Sequence, residues 1–351
     1  MPSTTLLTDG RFFVLEDSSI EKFKYANCML IRDGVIAYVG DDIGYARDVA
    51  ARENAVVRTL DGRHVLPGFI DGHTHILMLG QTLKKLSLEH CTSLDTIRAS
   101  IKAYAQKYPD LPRLHCGGWM EFMTGGNVST SMLDDLDPRP IFIDSRDLHS
   151  CWCNTAAIKE MEIQDLPNPV GGTIHRDSAG KPSGLLSEAA CVFMAWPHLA
   201  RAASPEERVD ALRAAVQALH AVGCTGFVEM AMDDISWDAL QTLRAEEGGK
   251  LPIHIAAHWF VKPTDSLASD LAQVDRAIGL ARTFHSSTSP DFRIVGIKLM
   301  CDGVVDSCTA ALLEPYSSNG ASPQTTWSPE ALGAVVKRAD DAGLQLSLIH
   351  I

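Results

Sequence analysis

The stretch Pro67-Gly68-Phe69-Ile70-Asp71-Gly72-His73-Thr74-His75 constrains this chain more than any other. Residues 65–70 are short, apolar and partly β-branched, so they read as a buried strand. Residues two apart on a strand point to the same face. His73 and His75 therefore project side by side from the strand end, a pitch that suits two imidazoles on one metal ion. Asp71 shares their parity and could serve as a third ligand or as an acceptor that orients one of them. Gly68 and Gly72 lower the steric cost of a backbone that must stop and turn. A bare His-x-His is common and mostly carries no metal; the longer stretch is far more specific.

Bulk properties narrow the classes. A chain of 351 residues buries a large core as one large domain or two smaller ones. Hydrophobic residues at 46% and charged residues at 21% are ordinary for a soluble globular protein. The net charge of −13 argues against a nucleic-acid surface, which needs a basic patch. No run reaches the roughly 18 apolar residues of a membrane span. The first ten residues lack a charged segment followed by an apolar one, so no secretory signal is read. The nine cysteines show no Cys-x-x-Cys pair, and free thiols in a reducing, cytoplasmic setting are expected.

Along the chain, residues 4 to about 62 read as short strands with turns. Residues 28–31 and 35–40, joined through Arg32-Asp33-Gly34, form a hairpin, and a helix follows over 45–53. From about residue 63 strands alternate with helices. Strands are expected at 114–119, 140–144, 223–230, 251–259 and 292–300, with helices at 97–108, 205–221 and 329–342. The second helix is the strongest: Val209, Leu212, Ala215, Val216 and Leu219 make one apolar stripe. Ser204-Pro205-Glu206-Glu207 supplies its N-cap, a proline at N1 and first-turn acids. Repeated strand–helix units point to an α/β fold with a parallel sheet, an α/β barrel leading. The expected division is a β portion over 1–62 and a barrel over 63–351.

The nonapeptide resembles the first-strand signature of the metal-dependent amidohydrolase superfamily. Further stretches resemble one branch, amidohydrolase family 3, the YtcJ-like group that includes N-substituted formamide deformylases. Residues 26–40 followed by Leu60-Asp61-Gly62 resemble its N-terminal sandwich running into the first barrel strand. Gly117-Gly118-Trp119 resembles its glycine–tryptophan strand end. Asp147-Leu148-His149-Ser150-Cys151-Trp152-Cys153-Asn154 resembles its Asp-x-His-Ser-x-Trp-x-Asn. Gly171-Gly172, Arg176-Asp177 and Gly180-Lys181-Pro182-Ser183-Gly184-Leu185-Leu186 with Glu188 resemble a family insertion. Lys298-Leu299-Met300-Cys301-Asp302-Gly303, leading to Thr309-Ala310-Ala311-Leu312 and Pro315-Tyr316, resembles another family motif. The likeness runs in order over nearly the whole chain.

The resemblance implies a (β/α)8 TIM-like barrel, incomplete here, with a small N-terminal β-sandwich. It implies hydrolysis of a carbon–nitrogen bond, usually of an amide or formamide in a small molecule, by water activated on a divalent metal. Zinc suits imidazole best, as one or two ions. His73 and His75 become ligands; the alternative is two strand-end histidines that bond locally. Lys298 sits in an apolar strand, where a protonated lysine cannot ligate and its burial is costly. In the superfamily such a lysine can be carboxylated to a bridging anion; otherwise its ammonium pairs with an acid such as Asp302. His149 would orient the substrate or polarise a carbonyl, against a loop histidine that only packs under Trp152. Asp302 would position Lys298 or the substrate, or else shape the turn with Gly303. Trp119 and Trp152 read as packing residues. Glu188, His175 and Arg176 read as part of an inserted lid-like loop. Glu229, His254 and His258 lie on or near strand ends, and His254 and His258, about 13 Å apart along a strand, cannot share one ion.

The family pattern after Gln345 places a histidine one residue earlier than His350, and a one-residue slip turns a strand side chain to the other face. Residues 346–351 also match the translation of a transposon-end adapter. The expectation is that the natural protein continues past Gln345 with further ligands and an aspartate that carries the proton. A deaminase or lactam hydrolase on the same scaffold is a second reading. A catalytically silent barrel acting as a binding protein, as a homo-oligomer, is a third.

Overall fold

The structure is a computed structural model that describes residues 4–15, 23–169, 172–303, 305 and 308–349. Gly171, His350 and Ile351 lie outside the described residues. The chain divides into two compact units, Met1–Phe69 and Ile70–Ile351.

The first unit is a five-stranded sheet with one helix. Its elements are β1 (Thr4–Leu15), β2 (Phe23–Arg32), β3 (Val35–Gly40), α1 (Ile43–Arg52), β4 (Val56–Thr59) and β5 (His64–Val65). The order is β3-β2-β1-β4, with β5 also on β1. The expected hairpin is β2–β3, antiparallel across Asp33-Gly34, both at positive φ (51° and 80°) as its tight turn requires. Leu6, Cys28 and Leu30 on one face pack against Ala46, Val49 and Ala50 of α1. Among the described residues this unit holds one sheet, not the two stacked sheets of a sandwich.

The second unit opens with β6 (Phe69–Thr74) and α2 (Ile76–Lys84). The strand lies four residues later than the sequence suggests, and it is not buried: Phe69 and Ile70 are 57% and 70% exposed. The cause is position, because β6 is an edge strand. His73 consequently sits inside the strand, and His75 is the N-cap residue of α2.

The chain then leaves this sheet for a second one. Its elements are β7 (Leu86–Ser87), α3 (Leu94–Lys107), β8 (Leu114–Trp119), β9 (Ile141–Ser145), β10 (Ser150–Cys153), α4 (Thr155–Glu160), β11 (Gly172–Arg176), β12 (Pro182–Glu188) and α5 (Trp196–Ala202). The order is β11-β12-β10-β9-β8-β7. The pairs β7–β8 and β8–β9 are parallel, and the remaining three are antiparallel. The expectation of one parallel sheet across the strand–helix units is thus corrected. So is the lid-like loop around Glu188, which is a hairpin hydrogen-bonded into this sheet. Trp119 and Trp152 pack at a tilt in the core of this module, ring centres 5.8 Å apart, beside Ile97, Ile101 and Leu114. They pack, as read.

The last stretch returns to β6. It holds α6 (Pro205–Ala221), β13 (Cys224–Met232), α7 (Asp234–Glu246), β14 (His254–Phe260), α8 (Leu267–Thr283), β15 (Phe292–Met300), α9 (Pro329–Asp341) and β16 (Gln345–Ile349). These strands and β6 form one sheet in the order β16-β15-β14-β13-β6, parallel from β13 through β16. The fold is α/β. Among the described residues the sheet is open, and no closed barrel is present.

Helix α6 forms as its sequence dictates. Ser204 Oγ accepts from the Glu207 N–H, and the Glu207 carboxylate accepts from the Ser204 N–H, a complete capping box. The stripe from Val209 to Leu219 is buried with Phe227, Ile255, Ile297 and Leu299, each worth about 1.5–3 kcal/mol on full burial. Gly80 of α2 lets that helix approach α6: a Cβ there would stand 2.0 Å from the Ala211 carbonyl oxygen. The better helix propensity of alanine, about 1 kcal/mol, cannot offset a clash with backbone. Gly80→Ala is expected to lower the unfolding free energy by about 1–3 kcal/mol in a urea titration. An unchanged midpoint would remove this account of the α2–α6 contact.

Candidate metal centre

The C-terminal ends of β6, β13, β14 and β15 carry His73, Glu229, His258 and Lys298, with His75 one residue past β6. Ligands in open parallel α/β sheets gather at such ends. The His73 and His75 rings lie edge to face, centres 5.4 Å apart. Asp71 does not orient an imidazole: its Oδ1 accepts from the His73 backbone N–H at 2.9 Å, which fixes the strand end.

Lys298 is 2% exposed. Its register partners are Phe260 on β14 and Ser347 on β16. The amine donates to Ser347 Oγ at 3.5 Å, and among the described residues no carboxylate pairs with it. Burial pushes its basicity below the ordinary lysine value. The proposed pairing with Asp302 is therefore corrected. Asp302 Oδ2 accepts from the Ala311 N–H at 3.0 Å and ties down the following loop, while its Oδ1 is buried with no partner among the described residues.

Two residues were underrated by sequence reasoning. His258 is buried, and its Nδ1 has no partner among the described residues. Burial, then the charges of Lys298 and His73, hold its imidazole below the ordinary value. His73 is lowered likewise, by burial first and then by His75 and Lys298. Lys298 bears on both imidazoles, and His73 bears on His258, so the three lie in one neighbourhood. His254, at the opposite end of β14, instead faces the Pro290 carbonyl at 3.3 Å. Glu229 is the other: it is 3% exposed, and its Oε2 accepts from the Ile76 N–H at 2.7 Å. Burial raises its carboxyl above the usual range, against the lowering effect of His75 and Ile76.

The structure places His149 elsewhere, on the turn between β9 and β10 of the six-stranded sheet. Its Nδ1 lies 3.0 Å from Glu188 Oε2, and the Glu188 N–H donates to the His149 carbonyl at 2.7 Å. Leu148 and Glu188 both adopt positive φ (65° and 55°), local strain that these hydrogen bonds sustain. His175 reaches Ser187 Oγ at 2.9 Å, and Arg176 ties three loop carbonyls, so neither is free for chemistry. A cavity of about 940 Å³ lies between α2, α3 and α6; its lining includes Lys85, Lys107 and His115 and none of the candidate site residues.

The donor set suits a divalent ion: two adjacent imidazoles, and a buried amine whose basicity is lowered. Among the described residues no three His, Cys, Asp or Glu side chains form a metal site by themselves.

A family model described as the amidohydrolase family matches residues 57–351. The chain belongs to the amidohydrolase family. Its place in the YtcJ-like branch, expected from the ordered motifs, is supported by two relatives. It is 27% identical to the putative amidohydrolase YtcJ of Bacillus subtilis, over 94% of this chain and 60% of that protein. It is 28% identical to the N-substituted formamide deformylase of Arthrobacter pascens, over 67% of this chain and 45% of that one. A metal-dependent hydrolase structure from Pyrococcus horikoshii matches in fold, with a TM-score of 0.77 at 22% identity, covering 99% of this chain and 65% of that one. The chain spans about three-fifths of the length of the first curated relatives it matches. The family implies a divalent metal. Among the described residues no helix of this amidohydrolase is long and apolar enough to cross a membrane.

Proposed function

We propose that this amidohydrolase chain carries the metal-binding part of a hydrolase that cleaves carbon–nitrogen bonds outside ordinary peptides, in small amide- or formamide-type molecules. The observation that carries this reading is the paired His73 and His75 at the end of one strand, with the charge of the buried Lys298 on the same sheet acting on His73 and, among the described residues, no carboxylate paired with Lys298. In this reading β6, β13, β14, β15 and β16 are five successive strands of a (β/α)8 barrel. The six-stranded module is inserted after the first of them. Residues 1–62 belong to a β-sandwich portion and residues 63–351 to the barrel. Nine free cysteines support a reducing, cytoplasmic setting.

A divalent ion, zinc by the preference of imidazole, supplies water activation and polarisation of the scissile carbonyl. His73 and His75 would hold it. Lys298 adds carbon dioxide at its neutral amine, releases one proton, and so presents an anionic oxygen donor in place of a cation. His149, held by Glu188, orients the carbonyl from the neighbouring module. Asp302 fixes the loop that follows β15, and its other oxygen has no partner among the described residues.

The test is amine release from N-substituted formamides by the full-length natural protein loaded with zinc and bicarbonate. Turnover that His73→Ala lowers at least about 100-fold, and that a chelator abolishes, supports the proposal. Turnover that survives both would overturn it.

A further inference from the structure

We infer that Glu229 is a positioning residue that fixes the tautomer of His75 and so aims its Nε2 lone pair outward. This rests on the reading of His75 as a metal ligand. A neutral imidazole carries one proton on one of two nitrogens, and only the bare nitrogen can ligate. Nδ1 of His75 stands 3.5 Å from Glu229 Oε1, at the outer limit of hydrogen bonding. The other carboxylate oxygen is pinned at 2.7 Å by the Ile76 N–H, the first residue of α2. The carboxylate is therefore held between a helix N-terminus and the imidazole of the N-cap residue, whose own side chain makes no cap hydrogen bond. Glu229 is buried, whereas His75 is 39% exposed at its side chain. A proton on Nδ1 gives the buried carboxylate a donor and leaves Nε2 bare on the open side. A proton on Nε2 would set two lone pairs against each other in a buried site, which is costly. Carboxylate–histidine–metal relays of this kind raise ligand basicity and hold the ring in place.

Nitrogen NMR of the histidine-labelled, metal-free full chain, above the imidazole titration range, reads the tautomer directly. The expected result is His75 with its proton on Nδ1, the reverse of the preference of free imidazole. Glu229→Gln keeps the shape and one acceptor oxygen, and should shift His75 toward the Nε2–H form. Zinc affinity, measured by competition with a chromogenic chelator, should then fall by about 10–100-fold. A purely structural Glu229 would lower the melting temperature and leave both readouts alone. Wild-type His75 found with its proton on Nε2 overturns the inference without any variant. So does unchanged zinc affinity in Glu229→Gln while His75→Ala lowers it, an outcome that leaves the metal reading standing. Zinc affinity unchanged in both His73→Ala and His75→Ala removes the metal reading itself.

Discussion

Lys298→Met is expected to leave the chain at least as stable as the wild type while removing its capacity to hold metal. Lys298 is 2% exposed and has a serine hydroxyl at 3.5 Å as its described partner. An ammonium in that place lacks the carboxylate that would offset its desolvation, which costs several kcal/mol per ion after relaxation. Methionine fills a similar volume without a charge or an unmet donor. The expected change in unfolding free energy is a gain of about 1–4 kcal/mol in the metal-free chain, read from urea midpoints. The same substitution deletes the group that carbon dioxide would modify. Metal retention should fall by more than the about 10–100-fold typical of changes beyond the ligands themselves. Carbon NMR after equilibration with labelled bicarbonate should show a carbamate signal in the metal-loaded wild type and none in the variant. A variant that loses stability, or that keeps both metal and carbamate, would mean that Lys298 is an ordinary structural lysine.

The second large effect belongs to Asp144, in the core of the six-stranded module. Its Oδ2 accepts from the Lys85 ammonium and lies 3.0 Å from His115 Nε2; its Oδ1 accepts from Trp196 Nε1 at 3.1 Å. Lys85 and Asp144 are 7% and 1% exposed at their side chains. Asp144→Ala leaves the Lys85 charge buried without a counter-ion and two further groups without a partner. The expected loss is about 3–5 kcal/mol of unfolding free energy in guanidinium chloride, by the rule for breaking one side of a buried ion pair. Burial alone would raise the Asp144 carboxyl, but His115 and Lys85 more than offset it and hold it well below the usual carboxylate range. A depressed folded pKa gives stability that is present above the unfolded value of about 3.9 and is lost as pH falls below it. The acid limb of the wild-type stability profile should therefore be steeper than that of Asp144→Asn. A loss under 1 kcal/mol in the alanine variant would show that water, not protein, meets these groups.

What was legible in the sequence is what local chemistry decides. Helix α6 occupies the residues its stripe and capping box mark, 205–221, and β15 occupies 292–300 as its apolar run suggests. The His73/His75 pair was legible because two-residue periodicity is a property of the chain itself. Sheet membership was not. Strands β8 and β9 look locally like β14 and β15, and only long-range pairing sends them to a different sheet. The 172–188 hairpin was read as a loop, since its glycines and polar turn hide pairing that β10 completes. Glu229 was hidden for the same reason: the Ile76 N–H it accepts from lies 153 residues away. His258 was weighed only against His254 on its own strand, whereas its neighbours come from β6 and β15.

The central claim is that His73, His75 and Lys298 build one metal centre. The most direct measurement is the metal content of the full chain after loading with zinc and bicarbonate and removal of loose ions. Elemental analysis should compare it with a His73→Ala/His75→Ala double variant. The account predicts at least one tightly held equivalent in the wild type, lost in the double variant, while far-ultraviolet circular dichroism shows the fold retained. Equal metal in both proteins, or none in a well-folded wild type, would contradict it.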